Sequence, residues 1–306
     1  MTREAGVSGE AADRSGVSAH YARSGLIAAI RDGVALIGKT PDTVTIDDLA
    51  PVDEFHIGGR TATAELLDQL APSPADHVLD IGSGLGGAAR FVADRYRCRV
   101  TGIDLTPDYV EAGNALCAWV GLAGRVSLQC ADALAMPFAD ATFSAAYMLH
   151  VGMNIADKAA LFAEAARVLR PGARLAVYDV MRTADGELTY PLPWASVPGL
   201  NAVAEPEHYR RALAAAGFEI VAERERREFA LGYFDALKAK MPSGSGPEPL
   251  GLHMLMGERR QANVRNMIEN ISAGRIAPFE MIARKGWRRG EGRPTPHAFE
   301  PDVRCT

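Results

Sequence analysis

The sequence is sparing with cysteine, has no surplus of positive charge and lacks any long apolar run. Four cysteines occur in 306 residues, at positions 98, 117, 130 and 305, and none forms a CxxC pair. Such scatter builds neither a disulfide framework nor a zinc site, and it reads as small buried or incidental thiols. Seven histidines show no HExxH or related ligand spacing, so no metal is expected. A formal net charge of −5 argues against a sequence-independent grip on nucleic acid, which needs net or clustered positive charge. It gives no support for a polybasic membrane anchor either. No apolar stretch approaches the length of a membrane span. Residues 1–18 are small and polar with no apolar signal region, so the expected location is the cytoplasm.

What is present is a chain with 48% hydrophobic residues, enough to bury a sizeable core in one large α/β domain or two small ones. Helical periodicity marks 22–37 and 61–70, the latter ended by Pro72 and Pro74, so the first seventy residues read as a helical prelude. The texture then changes. Short apolar runs at 77–82, 99–104, 125–130, 143–149 and 174–180 alternate with amphipathic stretches at 86–96, 107–119 and 157–169. Arg170-Pro171-Gly172 is expected to stop the last of these. This alternation predicts a doubly wound α/β fold, a parallel sheet with helices on both faces. A helix over 207–216, a strand over 218–225, Met-rich helices over 231–240 and 252–272 around a flexible 242–249 loop, and a last strand over 276–286 complete the pattern. The expected organisation is a helical extension or lid (1–70), a main domain (71–286) with a helical insertion (229–275), and a loose polar tail (287–306).

The segment DIGSGLGG (80–87) sits where the first strand becomes a helix; around Ser83, Gly82, Gly84 and Gly87 match GxGxxG, and Gly82, Gly84 and Gly86 match GxGxG. Glycines there let a ligand approach the backbone and permit positive φ. Alone, this loop fits a nicotinamide dinucleotide, a flavin or S-adenosylmethionine. Asp104 ends the second strand about twenty residues on, placed to hold ribose hydroxyls. Asp80 stands directly before the turn, where a carboxylate faces a pyrophosphate unfavourably but suits an ammonium and a sulfonium. Asp132, after the third strand, can accept from an adenine amino group. Each acid alone reads equally as a helix cap or turn residue. Together they form an acidic rim at the carboxyl edge of the sheet, where α/β folds bind ligands.

VLDIGSGLGG (78–87), VTGIDLT (100–106), CADALAMPFADATFSAAYML (130–149) and RVLRPGARLAVYD (167–179) occur in order at matching separations. On these motifs the chain resembles the class I S-adenosylmethionine methyltransferases, small-molecule branch, with an overall pattern similar to the sarcosine and dimethylglycine enzymes. The resemblance implies a Rossmann-like, seven-stranded, mostly parallel sheet with a closing antiparallel hairpin and an N-terminal helical cap. It implies S-adenosyl-L-methionine as cofactor. Gly82 and Gly84 would pass under its methionine part with Asp80 nearby, and Asp104 would hold both ribose hydroxyls. Leu105 would pack on the adenine, with Asp132 and the Ala133 backbone at its edge. Leu149 and His150 would close the pocket, and Tyr21 would cover the methionine end. The usual glycine pair after the fourth helix is Gly172-Ala173 here, away from the cofactor.

Methyl transfer needs in-line positioning above all, and a base only where the acceptor must lose a proton. His150 is the first candidate base and His56, in DEFHIGGR (53–60), the second. For His150 the alternative is a histidine packed at the pocket wall; for the Phe55–His56 segment it is a plain loop with an apolar anchor. Asn154 is a candidate acceptor contact or a turn cap. Tyr178 and Trp194 are candidate aromatic faces for a ring or methylated ammonium, or core packing. Two acceptor classes stay open: a small amine, or a hydroxyl or carbon centre on an isoprenoid, quinone or natural-product scaffold. An oxidoreductase reading lacks its catalytic set. A fold that binds the cofactor without transferring methyl is a further alternative. A homo-oligomer is compatible with the sequence.

Overall fold

The computed structural model describes residues 25–240 and 248–287. Tyr21, Cys305, most of the 242–249 loop and the tail from 288 lie outside the described residues.

The strands are β1 (His77–Ile81), β2 (Arg99–Asp104), β3 (Val126–Cys130), β4 (Phe143–Leu149), β5 (Leu169–Arg182), β6 (Phe218–Glu225) and β7 (Ile276–Lys285). They form one sheet in the order β3-β2-β1-β4-β5-β7-β6. The first five pair in parallel, while β7 runs antiparallel to both β5 and β6. Central strands are apolar on both faces because helices cover both, as parallel sheets require. Tyr147 and Tyr178, on β4 and β5, have no exposed surface. The sheet reverses its winding beside β1 and β4, which leaves a crevice at their carboxyl ends.

The helices are α1 (Leu26–Leu36), α2 (Ile46–Asp53), α3 (Gly59–Leu70), α4 (Gly87–Tyr96), α5 (Pro107–Trp119), α6 (Lys158–Val168), α7 (Pro206–Ala215), α8 (Arg227–Lys240), α9 (His253–Met256) and α10 (Arg260–Ser272). Periodicity missed α2. It has Pro51 inside, and a capping box holds its start, with the Asp48 N–H donating to Thr45 Oγ1 and the Thr45 N–H to the Asp48 carboxylate. The helix expected to stop at Arg170-Pro171-Gly172 gives way one residue earlier. Leu169 already pairs with Phe143, and a register shift absorbs the Pro-Gly before Arg174 pairs with Ala145. Helices α8, α9 and α10 fall between β6 and β7 and roof the carboxyl end of the sheet. Their Phe234, Met267 and Ile271 join Ile57, Met153 and Trp194 in one apolar cluster. Among the described residues no helix is long and apolar enough to cross a membrane.

Candidate active site

The turn after β1 is built by backbone hydrogen bonds that need glycine. The N–H groups of Gly82 and Ser83 both donate to Ile103 O at 2.8 Å, with Gly82 at φ 73°. Gly86 (φ 75°) then caps α4. Buried Arg90 donates to Leu85 O at 2.7 Å and to Gly113 O at 3.3 Å, and so pins the loop from beneath. Its guanidinium also pairs with Asp53 of α2, both side chains being fully buried. Burial pushes the Asp53 carboxyl up to about 6 against the pull of Arg90.

One cavity of about 1050 Å³ opens at the carboxyl ends of β1, β2 and β4. Its floor carries Asp80, Gly82, Ser83, Gly84, Asp104, Leu105, Asp132 and Ala133, and its wall Leu149 and His150. Phe55, His56, Asn154 and Trp194 line it as well. Gly86 does not; it packs against Leu128 beneath the loop. Tyr178 does not either. It is fully buried, its ring 5.0 Å from that of His150, and so stands behind the wall rather than on it. Of the candidates, then, Tyr178 and Gly86 are set back from the cavity and Tyr21 is outside the described residues.

The carboxylates differ in state. Asp80 is buried and accepts a hydrogen bond from Tyr147 Oη at 2.9 Å. Burial pushes it up to about 7, the Tyr147 bond opposing and the charges of Asp104 and Glu54 adding. Asp104 accepts from the N–H groups of Gly84 (2.9 Å) and Thr106 (2.8 Å), which orient it toward the loop. Its pKa is also raised by burial, with those same N–H groups opposing. Asp132 accepts from the Leu134 N–H at 2.8 Å, so the turn that follows β3 fixes it at the rim.

The two histidines face each other, ring centroids 6.0 Å apart. His56 Nε2 lies 3.1 Å from Gly59 O and 3.0 Å from Thr63 Oγ1, and Thr63 donates to Glu54. Burial lowers the His56 pKa. His150 sits in the left-handed region at φ 55°, and its N–H donates to Tyr178 O at 2.7 Å. Burial, and secondarily His56, holds its pKa well below the usual value, so its imidazole is neutral. Its Nε2 is buried with no hydrogen-bond partner among the described residues.

Several supports escaped the sequence reading. The Lys158 ammonium is buried and donates to the carbonyls of Ile155 and Ala202 (the latter at 2.9 Å), which fastens the loop bearing Asn154. Asn266 and Asn270 of α10 donate to Pro191 O and Thr189 O, each at 3.0 Å, and Trp194 Nε1 to Asn201 Oδ1 at 2.8 Å. The spacing of Asn263, Asn266 and Asn270 along one helical face was the available signal.

This set fits S-adenosylmethionine. The buried acids suit a ligand that carries net positive charge and would oppose a pyrophosphate. A Cβ on Gly84 would meet nothing within 4 Å, so backbone borders open cavity there.

Residues 79–177 match the family model described as a methyltransferase domain. The chain is 33% identical over 131 residues to an O-methyltransferase of Pyrenophora dematioidea, covering 43% of this chain and 49% of that one. It is 31% identical over 188 residues to an O-methyltransferase of Penicillium expansum, 60% of this chain and 66% of that one. The chain thus spans about half to two thirds of the length of these relatives. Geranyl diphosphate C-methyltransferase from Streptomyces coelicolor has the same fold, with a TM-score of 0.64 at 17% identity over 89% of this chain and 98% of that one.

Proposed function

We propose, from the premise that residues 79–177 are a class I S-adenosylmethionine-dependent methyltransferase domain, that this chain methylates a hydroxyl group on a small apolar acceptor. The observation that carries this reading is a cavity lined both by the three strand-end carboxylates and by His150, whose imidazole is neutral and whose Nε2 has no hydrogen-bond partner among the described residues. Asp104 would hold the ribose, Asp132 the adenine edge and Asp80 the charged methionine end. S-Adenosylmethionine, when bound, supplies a methyl group on a sulfonium that departs as a neutral thioether.

The chain's own residues have two tasks. Phe55, Trp194 and the roof exclude water and press the acceptor into line, which accounts for most of the acceleration. His150 takes the hydroxyl proton at Nε2 as the acceptor oxygen gains the methyl group. Its depressed pKa keeps that nitrogen available at neutral pH. His56 keeps Nε2 on Gly59 O and serves to position the wall beside His150.

The test is methyl transfer to a panel of phenols and small amines, read by mass, with wild-type protein and His150→Asn. Asparagine tolerates the left-handed backbone at this position. The variant is expected to lose about 10²–10⁴-fold in kcat toward hydroxyl acceptors, with S-adenosylhomocysteine affinity little changed. Transfer to amines alone, or an unchanged kcat, would contradict the assignment.

A pH dependence follows from Asp80. A cationic ligand favours its ionised form, which is scarce below about 7. Affinity for S-adenosylmethionine is therefore expected to be about tenfold weaker at pH 6 than at pH 8, one proton being released on binding at the lower pH. Calorimetry in buffers of different ionisation enthalpy reads that proton directly. Asp80→Asn should flatten the profile.

A further inference from the structure

The cavity has a second electrostatic character, away from the strand ends. Of its carboxylates, Asp80, Asp104 and Asp132 come from β1, β2 and the turn after β3, Asp53 from the end of α2 and Asp157 from the start of α6. Its cations come from the roof: Lys238 on α8, and Arg260 and Arg265 on α10. Asp235 on α8 and Gln261 on α10 line the cavity as well, so the roof helices contribute three positive charges and one negative. Among the described residues none of the three cations is paired with a carboxylate, although other arginines of the chain are paired repeatedly. In a chain of net charge −5 this local excess runs against the composition. The rest of the roof is largely apolar, with Phe234, Val264, Met267 and Ile268 lining the cavity. Lys238 and Arg265 are exposed and Arg260 is half-buried, so the charge lies at the solvent-facing edge and the apolar surface lies deeper.

A cationic cofactor gains nothing from this end, and a cationic amine acceptor is repelled by it. We infer that the acceptor is an apolar molecule bearing an anionic head group, a carboxylate or phosphate, held by Lys238, Arg260 and Arg265 while its body lies along the α8 and α10 wall toward His150. The inference rests on the methyltransferase reading for the word acceptor, not for the binding preference. Arginine on α10 offers the forked donors that such oxygens take in pairs. The cavity's 1050 Å³ is at the upper end of single-ligand sites, about 300–1,000 Å³, which leaves room beside a cofactor.

The test uses three ligands of one shape and three charges: 2-naphthyl phosphate, 2-naphthol and 2-naphthylmethylamine. Each is titrated into the full chain, first loaded with S-adenosylhomocysteine and then unloaded. The phosphate is expected to bind at least about tenfold tighter than the naphthol, and the amine weakest, in keeping with charge-assisted contacts. The preference should shrink in high salt, because these contacts are partly exposed. The Arg260→Gln/Arg265→Gln double variant should bind phosphate and naphthol about equally and retain its S-adenosylhomocysteine affinity. Equal binding of the three ligands by wild type, or a preference that survives in the double variant, would overturn the inference. So would a double variant that loses S-adenosylhomocysteine instead, since the cations would then serve the cofactor's own carboxylate. Failure of the methyltransferase reading is distinguishable: wild type would not bind S-adenosylhomocysteine in the loading step, whereas the charge preference is still read on the unloaded protein.

Discussion

Arg90→Met is expected to lower the stability of the fold by about 3–5 kcal/mol, because it strands Asp53 as an uncompensated charge in the core. Both side chains of the pair are fully buried, and Arg90 alone ties α2, the Leu85 carbonyl and the Gly113 carbonyl together. Urea melts near pH 8 read the loss. It should diminish as the pH falls and Asp53, already raised to about 6, takes up a proton. The sign follows from the raised carboxyl: its ionised form is the unfavourable one once the guanidinium is gone. An Asp53→Leu/Arg90→Met double variant should recover most of the stability, as apolar replacement of a whole buried pair often does. It should not recover cofactor affinity, since the Leu85 carbonyl then lacks its clamp. Full recovery of both would mean that Arg90 has no part in shaping the glycine loop.

Gly82→Ala and Gly84→Ala should separate fold from binding. A Cβ at Gly82 would fall 2.3 Å and 2.8 Å from the two methyl carbons of Val151, on a backbone at φ 73°. Valine is stiff about χ1 and cannot swing aside. The left-handed backbone costs about 1–2 kcal/mol and the overlap about 1–3 kcal/mol more. The variant is thus expected to be destabilised by several kcal/mol and to bind no cofactor. Gly84 shares the left-handed backbone at φ 53°, yet an added Cβ there meets nothing within 4 Å. Gly84→Ala should fold with only the backbone penalty, while its methyl group projects into the space assigned to the methionine part of the cofactor. Loss of S-adenosylhomocysteine binding with a modest shift in melting midpoint is the expected result. Equal damage to stability in both variants would argue against the cavity's position.

The sheet was readable because central parallel strands are apolar on both faces and end at the residues a ligand needs. Asp80 near the end of the first run, Asp104 at the end of the second, and the acid two residues after β3 gave both strand ends and rim. The closing antiparallel order of β6 and β7 came from the resemblance, since neither strand declares its direction. What stayed hidden were features that depend on partners far along the chain. Arg90 and Asp53 look like ordinary charged residues on helices, and only packing 37 residues apart makes them a buried pair. Helix α2 is short and interrupted by proline, so its cap rather than its periodicity defines it. Tyr178 was open between an aromatic face of the pocket and core packing. A strand buried on both faces gives no alternation to say which face a side chain takes, and Tyr178 faces the core behind His150.

The central claim is that the acidic rim binds S-adenosylmethionine. The most direct measurement is a calorimetric titration of S-adenosylmethionine, S-adenosylhomocysteine and NADH into wild type and Asp104→Ala. Both adenosyl ligands should bind wild type while NADH does not. Asp104→Ala should weaken them at least about 100-fold, the loss of two charge-assisted hydrogen bonds. Binding of NADH with silence from both adenosyl ligands would contradict the account and return the glycine loop to the dinucleotide class.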